Sequence, residues 1–285
     1  MHKIITLISP AEGHFNPFVP IIIKLIERRH EVICITGRTF KQRVEDIGAT
    51  YFPLPEKWDP RDMEIYDFFP ELKQKKGLSQ VKYYIKHVLF DPIPAPLDQN
   101  YKKPAWWSEI EKDLPVVLIN QGTNAKNYDD LIKPAIGALK DENMIVLALP
   151  VKEGKIHNLP DNTFTEPYIP FGNILPFVDI LVTNGGFGGI QNALAHGIPV
   201  VIAGATEDKM EVAVRVENTG AGINLRKQKP SPENIKNAVK KIMSDPSYKQ
   251  KAMELKAEYA KYDAPALTVD LVEELIEKQM SKAMT

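Results

Sequence analysis

The chain has 285 residues, enough for two modest domains or one large one, each with its own core. Hydrophobic residues at 44% and charged residues at 26% give the balance of a soluble globular protein, and a net charge of -1 offers no electrostatic case for nucleic acid or an anionic membrane surface. Cys34 stands alone, which excludes an intrachain disulfide. With no secretory leader pattern and no apolar run of membrane length, the expectation is a soluble, cytoplasmic chain without a transmembrane segment.

The first third alternates short apolar runs with helical patterns. "KIITLIS" reads as a strand, and "NPFVPIIIKLIERRH" as a helix with Asn16 at its N-cap and Pro17 at its first position. Val19, Ile22, Ile23 and Ile26 fall on one face of that helix. "EVICIT" is a second strand, "RTFKQRVEDIG" a helix closed by Gly48, and "ATYFPL" a third strand. This alternation predicts a parallel sheet of about three strands with right-handed crossovers, open on one side. Its uncovered edge would invite self-association.

Residues 56–98 are rich in aromatics and lysine, with helical stretches and no convincing strand, and they lead into a proline-rich connection ending at "PAWW". The alternation then restarts. "LPVVLINQG", "NMIVLALP", "VDILVTN", "IPVVIAG" and "AGINL" read as strands. Helices are expected from Asp129 to Leu139, from Gly189 to His196, over "DKMEVAVRVENTG", and after a capping box opened by Ser231. A last helix follows Pro265, with Leu267, Leu271 and Leu275 on one face. The organisation expected is an N-terminal domain over 1–98, a linker over 99–107, a second domain over 108–264, and a C-terminal helix over 265–285 packing back toward the first domain.

"VTNGGFGGIQNALAHGIPVV" carries the most chemistry. A strand ending at Thr183, a turn of four glycines around one phenylalanine, and a helix present backbone N–H groups to an anion. Glycine allows a diphosphate to approach the main chain with no Cβ in the way. A tight turn needing positive φ would call for one glycine. "INQGTN" and "AGATEDK" end neighbouring strands, and open parallel sheets bind ligands beyond the carboxyl ends of their strands.

The segment from Tyr168 to Leu225 resembles the donor-binding signature of GT-B-fold UDP-sugar glycosyltransferases of the macrolide/UDP-glucuronosyl type. "YIPFGNILPFVDILVTNGGFGGIQNALAHGIPVVIAG" carries its proline, leucine, double-glycine and "ALAHGIP" elements in order, while "PAEGHFNP" resembles the family's first loop and "PAWW" its linker. The resemblance implies an α/β fold of two Rossmann-like parallel-sheet domains facing a cleft, the first one shortened. It implies inverting transfer of a hexosyl group from a UDP-sugar, with UDP-glucose as the default, to the hydroxyl of a small acceptor. No cofactor or metal is expected, because backbone donors and a helix dipole take the leaving diphosphate. His14 would be the general base, kept neutral by a helix N-terminus. Tyr168 would stack on the base and Ile169 would offer its backbone to the base edge. Gly186, Gly188 and Gly189 would meet the diphosphate, with Thr123 adding a hydroxyl. Asn184, Asn192, Asp208 and Lys209 complete the donor set.

Departures from the family pattern bear on activity. Asn184 stands where many relatives have histidine, Asn192 where a glutamate holds ribose, and Asp208-Lys209 where an Asp-Gln pair grips the sugar. The strand whose aspartate would orient His14 has no counterpart, and neither Asp91 nor Asp98 lies where it could serve. A weak transferase is therefore expected, against the alternatives of a UDP-sugar-binding auxiliary module needing a partner chain, or an inactive chain. A Rossmann-type dehydrogenase is disfavoured, since the glycine turn does not follow the first strand of its half.

Overall fold

The computed structural model describes residues 1–10, 12–54, 95, 97–111, 113–122, 127–151, 156–204 and 209–283. The helical stretches expected between 56 and 94 lie outside these residues. The chain divides into two compact units, one formed by Met1–Gln80 with Tyr262–Thr285 and the other by Val81–Lys261.

In the first unit, β1 (Lys3–Leu7), β2 (Glu31–Thr36) and β3 (Thr50–Pro53) form a parallel sheet in the order β1-β2-β3. Among the described residues β1 pairs only with β2. Ile5 and Leu7 of β1 are 61% and 69% exposed, whereas Val32 and Cys34 point to the buried face. Gly48, at φ +85°, closes the helix α2 (Lys41–Asp46) before β3.

The helix α1 runs Glu12–Glu27, so Asn16 and Pro17 lie inside it rather than at its start. The apolar stripe explains the earlier beginning. Phe15, Val19, Ile22 and Leu25 are buried at helical spacing, and Phe15 packs on Phe40 with ring centroids 4.6 Å apart. Burying Phe15 requires one more turn than the prolines suggest. Ile23 and Ile26, expected on the inner face, are half-buried. The Asn16 side chain accepts a hydrogen bond from Arg43 instead of capping the helix.

The last helix of the chain, α9 (Ala264–Ala283), also departs from expectation. Leu267 and Leu271 are exposed, while Ala264 and Val269 are buried; the side chain of Leu275 is outside the description. Ion pairs to the α1 end of this unit help set the rotation of the helix. Arg28 meets Asp270 at 2.6 Å and Glu273 at 2.7 Å, and the buried His30 meets Glu273 at 2.8 Å. Asp263 accepts from the Ala266 N–H at the start of the helix.

The second unit holds a six-stranded parallel sheet in the order β6-β5-β4-β7-β8-β9. Its strands are β4 (Val116–Asn120), β5 (Ile145–Leu149), β6 (Thr163–Thr165), β7 (Ile180–Thr183), β8 (Val200–Ile202) and β9 (Gly222–Asn224). The central strands are apolar at nearly every position because both faces are covered. Leu118, Leu147, Leu181 and Val200 belong to one core with Ile190 and Leu194 of α5 (Phe187–Ala195) and Ala213 of α6 (Lys209–Thr219). Val117, Ile119, Val146 and Val182 belong to another with Ile132 and Ile136 of α3 (Ile132–Leu139) and Ile235 and Val239 of α7 (Pro232–Ser244). A reciprocal capping box joins Ser231 and Asn234 at the start of α7.

Two further elements carry little sequence signal. The strand β6 has only three residues, and α8 (Pro246–Tyr259) buries only Ala252 among its residues. The short helix α4 (Phe171–Ile174) precedes β7. Tyr101, Trp106 and Trp107 pack into the core of this second unit.

His30 and Arg28 hold the Glu273 carboxyl below its ordinary pKa by hydrogen bonding. A carboxyl depressed on folding stabilises above its unfolded pKa, and that contribution is lost as pH falls through the folded value. Glu273→Gln should therefore lower the melting midpoint at pH 7, and the gap from wild type should close below about pH 4. Identical melting curves at pH 7, followed by circular dichroism, would remove this role for Glu273.

Candidate functional site

The chain builds β4, β5 and β6 outward in one direction, then returns to place β7, β8 and β9 on the other side of β4. The boundary between β4 and β7 is therefore the switch point of the sheet, where the loops diverge and leave a crevice. Register makes the strand ends level there: Asn120 lies beside Thr183, and Thr183 beside Ile202.

Three glycines make that junction possible. Gly185 has φ +92°, and a Cβ there would come within 3.0 Å of Ile202. Gly122 has φ +88°. A Cβ on Gly204 would sit 1.9 Å from the Asn184 carbonyl oxygen, closer than any side chain can be accommodated. Two strand-end loops thus touch backbone to backbone.

From this junction α5 starts at Phe187, two residues before the expected Gly189. Its N-cap is Gly186, with φ -60° and no side chain to cap the helix. The Ile190 N–H bonds to the Gly186 carbonyl, so the N–H groups of Phe187, Gly188 and Gly189 open the helix without an intrahelical acceptor. Gly188 is exposed, and a Cβ there would meet nothing within 4 Å. Together these groups can hold an anion.

Asn184 packs its carboxamide into the loops. Its Nδ2 donates to the Gln121 carbonyl, and its Oδ1 accepts from the Gly186 N–H at 3.3 Å. Asn192, one helical turn beyond Gly188, donates to the Gly188 carbonyl at 2.7 Å and accepts from the Ala95 N–H at 2.5 Å. Lys209 opens α6, and its aliphatic stem lies against the Gly185–Gly204 junction. Thr123 and Asp208 lie outside the described residues. Tyr168 is 52% exposed on the loop after β6, and Ile169 is 2% exposed with its side chain in the core. His14 lies in the first turn of α1, in the other unit, and is solvent-exposed. Protein atoms around the ring still desolvate it enough to push its pKa below the ordinary value, favouring the neutral imidazole. Among the described residues no carboxylate partners it. His196, at the end of α5, bonds through Nδ1 to the Asn192 carbonyl.

Residues not anticipated from sequence shape the loops. Gln121, buried at the end of β4, donates to the Asn127 carbonyl at 2.7 Å and accepts from the Ile132 N–H at 3.2 Å, clamping both ends of the loop that carries Thr123. Trp106 donates to Glu166 at 3.0 Å and stacks on Phe164, fixing the loop that presents Tyr168. The one visible signal was a glutamine following an unbroken apolar strand. Among the described residues no group of three or more His, Cys, Asp and Glu is arranged to hold a metal ion, and no helix is long and apolar enough to cross a membrane.

Residues 132–275 match the family model described as erythromycin biosynthesis protein CIII-like, C-terminal domain. The 4'-demethylrebeccamycin synthase of Lentzea aerocolonigenes is 42% identical over 185 residues, which are 65% of this chain and 44% of that protein. UDP-glycosyltransferase 2 of Phaeomoniella chlamydospora is 41% identical over 192 residues, 64% of this chain and 42% of that protein. The solved structure of the spinosyn rhamnosyltransferase SpnG complexed with thymidine diphosphate aligns at a TM-score of 0.71 and 17% identity, covering 96% of this chain and 100% of that one. The chain belongs to the erythromycin biosynthesis protein CIII-like C-terminal domain family, and it shares the GT-B fold of the solved structure it aligns with. It spans about half the length of the curated relatives it matches.

Two glycine substitutions separate fold from site. Gly204→Ala should destabilise the second unit, since the new methyl overlaps a main-chain oxygen that cannot move aside, and thermal melting reports it. Gly188→Val should leave the circular dichroism spectrum unchanged yet abolish UDP binding in a calorimetric titration. Unchanged UDP affinity would move the phosphate site elsewhere.

Proposed function

We propose that this protein transfers a hexosyl group from a UDP-sugar, by default UDP-glucose, to the hydroxyl of a small acceptor, with inversion and without a metal. The observation that carries this reading is the uncapped first turn of α5 at the switch point of a parallel sheet, where a Cβ on Gly188 would meet nothing within 4 Å. A relative named for UDP-glycosyl transfer and a neighbour solved with thymidine diphosphate support a nucleoside diphosphate there.

In this mechanism the first-turn N–H groups and the partial positive charge of α5 stabilise the diphosphate as the glycosidic C–O bond breaks. The acceptor oxygen attacks the anomeric carbon from the opposite face, and His14 takes its proton. A neutral imidazole is what that step requires. Tyr168 offers an exposed ring to the base. Lys209, beside the glycine junction, and Asp208 and Thr123 from the adjoining loops complete the donor contacts.

A second reading is a UDP-sugar-binding module that needs another polypeptide for turnover. It is favoured by the absence, among the described residues, of a carboxylate on His14, because the aspartate of a Ser-His-Asp triad is worth roughly four orders of magnitude in rate. Titration with UDP, UDP-glucose and UDP-glucuronate, followed by turnover on a panel of phenolic acceptors, separates the readings. UDP binding with no turnover until a second chain is added would select the module.

Under the enzyme reading, His14→Ala abolishes transfer and leaves UDP affinity within about two-fold, a change below 0.5 kcal/mol. The acid limb of kcat/KM falls below the ordinary imidazole value of about 6.5, because desolvation lowers the His14 pKa. An acid limb above that value contradicts His14 as the base. Transfer also persists in EDTA; activity lost to the chelator and restored by magnesium would assign the leaving-group charge to a metal.

A further inference from the structure

The hydrogen bonds of Asn192 form a continuous chain of amides that ends on the peptide between Gly188 and Gly189. The Ala95 N–H donates to Asn192 Oδ1 at 2.5 Å, and Asn192 Nδ2 donates to the Gly188 carbonyl at 2.7 Å. That carbonyl belongs to the same peptide plane as the Gly189 N–H, one of the three donors that open α5. The Asn192 carboxamide accepts at its oxygen and donates at its nitrogen, so its dipole and that of the Gly188–Gly189 peptide run toward the open turn. Hydrogen bonds arranged in this way polarise one another.

The geometry points to Asn192 as a positioning residue that strengthens the Gly189 N–H toward the donor diphosphate. It would act through the Gly188–Gly189 peptide and not by touching the nucleotide's ribose. This rests on the assignment of a diphosphate to this turn. The chemistry also accounts for the residue type. A carboxylate at 192 could accept from Ala95, but it has no proton to give the Gly188 carbonyl and would face that oxygen with negative charge. Only a carboxamide links the two. The connecting segment is held independently at Asp98, whose N–H and carbonyl both bond to the Asn173 side chain, at 3.0 and 2.9 Å. Loosening the segment and breaking the relay are therefore separable.

Inorganic diphosphate, UDP and uridine, titrated calorimetrically against the full chain, test the assignment. Asn192→Ala should weaken inorganic diphosphate and UDP alike, by about three- to ten-fold, the worth of one hydrogen bond, and leave uridine unchanged. Asn192→Asp preserves shape and the Ala95 contact while removing the donor to Gly188, and it should weaken both at least as much. Asn173→Ala should leave all three affinities unchanged. Loss of UDP and uridine affinity with inorganic diphosphate unaffected would make Asn192 a nucleoside ligand and overturn the relay. Unchanged affinities in both Asn192 variants, or an equal loss in Asn173→Ala, would also overturn it. If the wild-type chain binds neither UDP nor inorganic diphosphate, the diphosphate site itself is wrong and the relay falls with it.

Discussion

The closest constraint in the molecule is a contact between two pieces of main chain. At the level ends of β7 and β8, the α-carbon of Gly204 approaches the Asn184 carbonyl so closely that a side chain at 204 is impossible. The switch point lies one strand over, between β4 and β7, and this contact keeps the β7 and β8 loops thin where they start beside it. The helix α5 can then begin directly beyond the sheet with its first N–H groups uncovered. A bulky residue in the junction would lift the loop from the sheet and close the space an anion needs. The glycines at 185 and 204 are therefore a packing requirement of the junction.

Around this junction, side-chain carboxamides do much of what backbone amides do elsewhere. Asn184 ties the β7 loop to the β4 loop, Gln121 holds a loop by both ends, and Asn173 matches both the N–H and the carbonyl of Asp98. Asn162 donates to three carbonyls, those of Leu139 at the end of α3 and of Glu142 and Met144 beyond it. A carboxamide carries a donor and an acceptor in a fixed plane, so it extends hydrogen bonding where strands have ended and loops cannot pair. It does so without adding a charge beside the open first turn of α5.

The first unit is held together differently. Its three-stranded sheet leaves apolar residues of β1 exposed, and the returning helix α9 sets Asp270 and Glu273 against Arg28 while Leu267 and Leu271 stay exposed. Arg28 and His30 sit at the turn between α1 and β2, so one carboxylate, Glu273, bonds to residues on both sides of that turn. The attachment of the C-terminal helix thus depends on protonation state as well as on buried area.

Sequence alone determined what depends on local pattern. The runs around β4, β5, β7 and β8 were legible because buried parallel strands must be apolar along their length, β1 and β2 because short apolar runs alternate there with helical patterns, and the Ser231 cap because its partner lies three residues away. The glycine turn was legible because few other uses call for four glycines together. Tertiary structure decided the rest. Burial of Phe15 against Phe40 moved the start of α1 upstream of its prolines, and ion pairs to Arg28 with a hydrogen bond to His30 hold α9 with Leu267 and Leu271 exposed. The bonding of Asn192 to Ala95, nearly a hundred residues earlier, has no signature in the sequence. Periodicity reports which face of an element is apolar, but only the packed partners decide which face is covered and which polar group meets which.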